Sequence, residues 1–120
     1  MAHGEIVHFD IPSDDMDWAR RFYRELFGWT FDDVQGFADF AMTRAGAGDV
    51  TGGLGKRGVT APEGLRIYVN VDSIDEAIAR LPDLGGSVVV EKTEVPGQGW
   101  YAAINDSEGT EIGIWENPAG

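Results

Sequence analysis

The sequence predicts an α+β fold: two βαβββ modules forming one cupped, mixed sheet with the helices on its outer face. Three observations predict it. Two segments, near 14–28 and 72–86, carry apolar residues at helical spacing and stop at glycine. Short β-prone runs bounded by turn residues surround each of them. The two halves can also be laid on each other at an offset of 58, where Asp14 meets Asp72, Ala19 meets Ala77, Leu26 meets Leu84 and Gly28 meets Gly86. Half of this pattern cannot bury both faces of its sheet. The expectation is therefore one domain over 1–120, with module one at about 5–55, a Gly/Thr/Pro linker at about 56–64 and module two at about 65–117.

The elements follow in order. Glu5–Ile11 reads as a strand that Pro12 stops. Ser13 or Asp14 caps a helix whose first turn holds Asp15 and Asp17, where the helix dipole favours negative charge. Its apolar stripe is Ala19, Phe22, Tyr23 and Leu26, and Gly28 ends it. Strands are expected from Trp29–Phe31 onward, at Ala38–Thr43 and at Asp49–Gly55, with turns at Gln35-Gly36 and Gly46-Ala47-Gly48. Leu65–Val71 opens the second round. Asp72 or Ser73 begins a helix with the capping-box pattern Ser73-Ile74-Asp75-Glu76 and the stripe Ile74, Ala77, Ile78 and Leu81, and Gly85-Gly86 ends it. Ser87–Lys92, Gly99–Asn105 and Glu111–Glu116 read as strands, joined by Pro96-Gly97 and Asp106-Ser107-Glu108-Gly109.

Composition narrows the function classes. With 42% hydrophobic residues, four Trp, three Tyr and six Phe, the chain can build a core without staples. No cysteine is present, so disulfides, thiolate metal sites and cysteine nucleophiles are excluded. The net charge of −12 and the scattered basic residues speak against nucleic acid as a partner. No apolar run approaches the roughly 20 residues of a membrane span, and the N-terminus lacks a signal-peptide pattern, so a cytoplasmic protein away from membranes is expected.

Strand alternation sorts the side chains. Val7, Phe9 and Ile11, then Ile67, Val69 and Val71, then Ile112 and Ile114 should face the helices. The opposite set is His8, Asp10, Arg66, Tyr68, Asn70, Glu111 and Trp115. That set is too polar for a core layer and too aromatic for a plain solvent face, and a small-molecule pocket needs such a mixture. A sheet face covered by a partner subunit is the alternative. Gly52-Gly53-Leu54-Gly55 is no phosphate loop, because it lacks a following Lys-Ser/Thr and a helix; its first two glycines suit a bulge or a close backbone approach. No Ser-His-Asp arrangement is expected, since neither His3 nor His8 has a supported nucleophile nearby, and His3 sits in a terminus expected to fray.

The ordered series Val7-His8-Phe9-Asp10-Ile11-Pro12, Arg21-Phe22-Tyr23, Leu26-Phe27-Gly28-Trp29, Tyr68-Val69-Asn70-Val71-Asp72, Leu84-Gly85-Gly86, Pro96-Gly97-Gln98-Gly99-Trp100 and Asp106-Ser107-Glu108-Gly109 before Ile112-Gly113-Ile114-Trp115-Glu116 resembles the vicinal-oxygen-chelate (glyoxalase / bleomycin-resistance / dioxygenase) superfamily, in its short glyoxalase-like branch. The resemblance covers essentially the whole chain. It implies paired βαβββ modules, a homodimer and, in many members, a divalent metal held by His and Glu from the first and last strand of each module. Carried over, those four positions fall on His8, Arg66, near Gly53 and on Gly113. Arginine stays protonated and cannot ligate, and glycine has no ligand atom.

The leading expectation is therefore a small-molecule-binding protein without the metal quartet and without a cofactor, its ligand held by His8, Asp10, Arg66, Tyr68, Asn70, Glu111 and Trp115. Arg66 either binds an anionic group or pairs with Asp10 or Glu111. One alternative is a metal-dependent lyase, isomerase or dioxygenase of glyoxalase type using a variant site with His8 and Glu111 as ligands. Another is a dimerisation module that takes no ligand. The residues leave catalysis open.

Overall fold

The computed structural model describes residues 2–44 and 49–119. The turn expected at Gly46-Ala47-Gly48 lies outside the described residues. The elements, in chain order, are β1 (Ile6–Ser13), α1 (Met16–Phe27), β2 (Asp32–Asp33), β3 (Phe40–Arg44), β4 (Thr51–Lys56), β5 (Arg66–Asn70), α2 (Ile74–Leu84), β6 (Ser87–Val95), β7 (Gly99–Asn105) and β8 (Glu111–Glu116). This is an α+β fold with the order βαβββ run through twice. The chain divides into two compact units, His8–Arg66 and Met1–Val7 with Ile67–Gly120, called here the first and second unit. Among the described residues no helix is long and apolar enough to cross a membrane.

In the first unit the strand order is β2-β3-β4-β1. β3 and β4 are antiparallel, and β1 lies parallel to β4 from His8↔Thr51 to Ser13↔Lys56. α1 starts one residue later than expected: Asp15 is the N-cap, its carboxylate accepting from Trp18 N, while Ser13 Oγ accepts from Asp15 N. Gly28 closes the helix at φ +77°, a left-handed conformation that costs glycine nothing. The core is Phe31, Ala41 and Leu54, with Ile11, Met16, Ala19, Tyr23 and Trp29 packed on it.

Two expectations about this unit need correction. β1 does not stop at Pro12 but runs to Ser13. Proline removes only its own N–H from the ladder, and Ser13 O accepts from Arg57 N to finish it. Trp29–Phe31 is not a strand. Trp29 stacks on Tyr23 with ring centroids 5.7 Å apart and Phe31 is buried in the core, so packing beside α1 outcompetes ladder formation, which begins only at Asp32. Segment 56–64 is folded onto this unit: Val59, Thr60 and Ala61 all donate backbone N–H to Lys56 O, and Arg57 Nε donates to Asp14 Oδ1 at 3.0 Å.

In the second unit the order is β5-β8-β7-β6, with β5 parallel to β8 and the other pairs antiparallel. Ser73 caps α2, accepting from Glu76 N as its sequence pattern predicts, and Gly85 ends the helix in the left-handed region. Val71, Ile74, Ala102 and Ile114 form the core, covered by Ala77, Ile78, Trp100 and Ile104. The N-terminal residues are tied down rather than frayed. Gly4 N donates to Asn70 O, Asn70 N donates to Glu5 O, and His3 Nδ1 accepts from Asp72 N at 3.0 Å.

Candidate functional site

Three of the seven residues expected to meet a ligand, His8, Asp10 and Arg66, fall in the first unit; Tyr68, Asn70, Glu111 and Trp115 fall in the second. Each unit has its own geometry.

In the first unit Ile11 packs on the α1-side core, and the Phe9 ring lies 5.6 Å from that of Trp29. His8 and Asp10 alternate with them and so occupy the other face of β1. On that face His8 Nε2 lies 2.8 Å from Asp10 Oδ1 and His8 Nδ1 lies 2.6 Å from Thr51 Oγ1. A carboxylate can only accept, so Nε2 carries the proton; in the neutral ring Nδ1 then accepts from the threonine hydroxyl. The two side chains of the His8–Asp10 pair keep 20% and 13% of their surface accessible. Arg66 is buried at the start of β5.

Sequence reasoning found no hydroxyl near either histidine and so missed Thr51, which meets His8 Nδ1. The relation appears only in the pairing: Thr51 stands directly opposite His8 in the parallel β1/β4 register, and side chains at paired positions share a face.

In the second unit Tyr68 and Asn70 are buried, at 5% and 3% exposure. The Tyr68 and Tyr101 rings meet edge-on at 6.3 Å. Trp115 Nε1 donates to Asn117 Oδ1 at 2.9 Å, Asn117 Nδ2 donates to Asn70 Oδ1 at 3.2 Å, and Asn70 Nδ2 donates to Ala2 O. One face of β5, β7 and β8 thus gathers the half-buried rings of Tyr101 and Trp115, the buried ring of Tyr68 and a chain of amides. Tyr101 and Asn117 were not singled out from sequence, although the alternation that places Trp100, Ala102 and Ile104 on the α2 side puts Tyr101 on this face. Glu111 is half-buried at the start of β8, opposite Asn105.

The metal that the resemblance implies can be tested against these residues. Both nitrogens of His8 are engaged by Asp10 and Thr51. At Gly53 a Cβ would fall 2.5 Å from Asp10 Oδ1 and 2.7 Å from the Phe40 ring; at Gly113 it would fall 2.4 Å from the Tyr68 ring. The places where glutamate ligands would project are filled by other side chains, and close approach is what the glycines are for. Among the described residues no three His, Asp or Glu side chains gather as a metal-binding group. The residues present do not fit the quartet.

On the α1 side of the first unit an open groove runs past Pro12, Asp15, Trp18, Phe22, Leu26 and Arg57. None of the expected site residues lines it.

Comparison with known proteins places this geometry. Residues 5–114 match the family model described as Glyoxalase/Bleomycin resistance protein/Dioxygenase superfamily. The protein CFP32 of Mycobacterium bovis, whose name calls it a glyoxylase, is 27% identical over 113 residues, covering 89% of this chain. The chain spans 43% of that relative's length. A glyoxylase-like domain-containing protein of Didymella fabae is 28% identical, with 98% of each chain covered. Among solved structures, methylmalonyl-CoA epimerase from Mycobacterium tuberculosis superposes with a TM-score of 0.69 at 17% identity, over 97% of this chain and 89% of that one. At that identity the likeness is one of fold.

Proposed function

Since the chain belongs to the Glyoxalase/Bleomycin resistance protein/Dioxygenase superfamily, we propose that it is a small-molecule-binding member that works without the superfamily's divalent metal. The observation that carries this reading is the Tyr68 ring lying across Gly113, closer than any Cβ would permit. A position that could have supplied a carboxylate ligand supplies instead the floor for an aromatic wall. The amide of Asn117, which Asn70 holds, is suited to orienting a polar group on a ligand whose apolar part rests on Tyr101 and Trp115, with Tyr68 packed beneath them. In the first unit His8 and Asp10 form a polar centre, and Arg66 is buried. We carry His8, Asp10, Arg66, Tyr68, Asn70, Glu111 and Trp115 forward as the residues to vary. A homodimer is part of the same proposal.

The test has two readouts. Elemental analysis of protein purified without chelator is expected to find divalent metal far below one equivalent. Thermal-shift titration against a panel of small metabolites, drugs and acyl thioesters, methylmalonyl-CoA among them, is expected to find compounds that raise Tm with concentration; binding to the folded state alone stabilises by about 2.7 kcal/mol at a hundredfold excess over Kd. Tyr68→Ala and Trp115→Ala should each lose that shift. Stoichiometric tightly held metal, or a panel without any hit, overturns the reading.

A further inference from the structure

We propose that Thr51, His8 and Asp10 form a hydroxyl–imidazole–carboxylate relay in which Thr51 is an acyl-accepting nucleophile toward small uncharged esters. The geometry is that of an activated nucleophile: a hydroxyl within hydrogen-bond reach of an imidazole nitrogen, and the other ring nitrogen held by a carboxylate. The ring is used in the reverse sense to the familiar protease arrangement, with Nε2 toward the acid and Nδ1 toward the hydroxyl. All three groups stand on neighbouring parallel strands, His8 and Thr51 at paired positions and Asp10 two residues along β1, so the backbone ladder rather than a loop sets their spacing. Gly53 is part of the device, because a side chain there would collide with the Asp10 carboxylate.

His8 and Thr51 are only partly buried, so a substrate can reach them. The Phe40 ring, which lies over Gly53 beside Asp10, offers an apolar edge to the leaving group. The net charge of −12 disfavours anionic substrates, so an uncharged ester is the probe that fits.

The step balances without metal or redox partner. Thr51 Oγ1 bonds to the ester carbonyl carbon while its proton passes to His8 Nδ1. The carbon–oxygen bond to the leaving group breaks, and the departing oxygen takes that proton. Asp10 stays ionised and steadies the transient imidazolium through Nε2–H. Water then gives a proton to Nδ1 and attacks the acyl carbon, releasing the carboxylic acid and returning the hydroxyl to Thr51.

The experiment is acylation of the full chain by p-nitrophenyl acetate, read by the nitrophenolate burst, intact mass and peptide mapping. One acetyl per chain is expected, mapped to Thr51. Thr51→Ser should keep the acetylation, Thr51→Val should abolish it, and His8→Gln and Asp10→Asn should slow it by about 100-fold or more. Circular dichroism establishes that each variant folds. Acetyl found only on Lys56, Lys92 or the N-terminus, an unchanged burst in Thr51→Val, or no acetylation of wild type overturns the proposal. None of those outcomes touches the ligand-induced Tm shift, so the relay and the binding reading fail separately.

Discussion

In the first unit the parallel pair β1/β4 lays a carboxylate, Asp10, over Gly53; in the second the parallel pair β5/β8 lays a phenol ring, Tyr68, over Gly113. Asp10 and Tyr68 stand 58 residues apart, the offset at which the two halves superpose in sequence, so this is one backbone device used twice with different chemistry. On the first copy the carboxylate holds an imidazole and makes a polar centre. On the second the ring is buried and meets Tyr101 edge-on. The glycines carry the lesson: at Gly53 and Gly113 the space a side chain would take is held by a first-strand residue, shared at Gly53 with the Phe40 ring.

The largest expected effect comes from undoing that exchange. Gly113→Glu, which writes a family-style ligand into the second unit, should cost several kcal/mol or prevent folding. Its Cβ would meet ring atoms of Tyr68 at 2.4–2.8 Å in a buried strand, and overpacking alone costs about 1–3 kcal/mol before the carboxylate is desolvated. Adding Tyr68→Ala should recover part of that loss, because the two changes share one space and are not additive. Urea unfolding of the two single variants and the double variant measures this. Equal losses in Gly113→Glu with and without the ring would break the comparison.

How far the sequence reached follows the same lines. Alternation in β1 and β5 placed His8, Asp10, Tyr68 and Asn70 away from the helices because period-two geometry needs only local information. Thr51 escaped because its relation to His8 is a strand pairing across 43 residues, and register between distant strands is not written in either strand alone. Trp29 and Phe31 looked like a strand because aromatic residues favour sheets, yet Tyr23 on α1 gave those rings a better contact. The helix starts were legible to one residue, since several neighbouring acids near 14 could serve as the cap.

A middle-sized effect tests whether the two helices begin alike. Asp15 and Ser73, also 58 apart, each accept from the backbone N–H three residues on. Asp15→Ala and Ser73→Ala should each destabilise by about 1 kcal/mol. A much larger loss at Ser73 would mean that the α2 N-terminus depends on this cap beyond the bond from Ile74 N to Glu116 Oε1. Thermal unfolding at matched protein concentration reads both.

The smallest expected effect concerns the faces the helices leave uncovered. α1 buries no residue completely, and Trp18, Phe22 and Leu26 form a ridge exposed at 67%, 57% and 60%. At the same offset α2 carries Glu76, Arg80 and Leu84, so the second helix presents charge where the first presents aromatic rings. Transplanting those residues should therefore be nearly neutral in an isolated chain: Trp18→Glu and Phe22→Arg within about 0.5 kcal/mol each, as for other surface positions. Trp18→Glu also places an acid in the first turn of α1, where the helix dipole favours negative charge. It gives up an exposed contact with Arg21, whose guanidinium lies 5.5 Å from the indole centroid. Covering of the ridge by a second copy reverses the expectation. Both substitutions would then cost several kcal/mol, the wild-type Tm would rise with protein concentration, and the variants would lose that dependence. Unfolding at low and high protein concentration thus separates an α1 ridge that faces water from one that faces another copy of the chain.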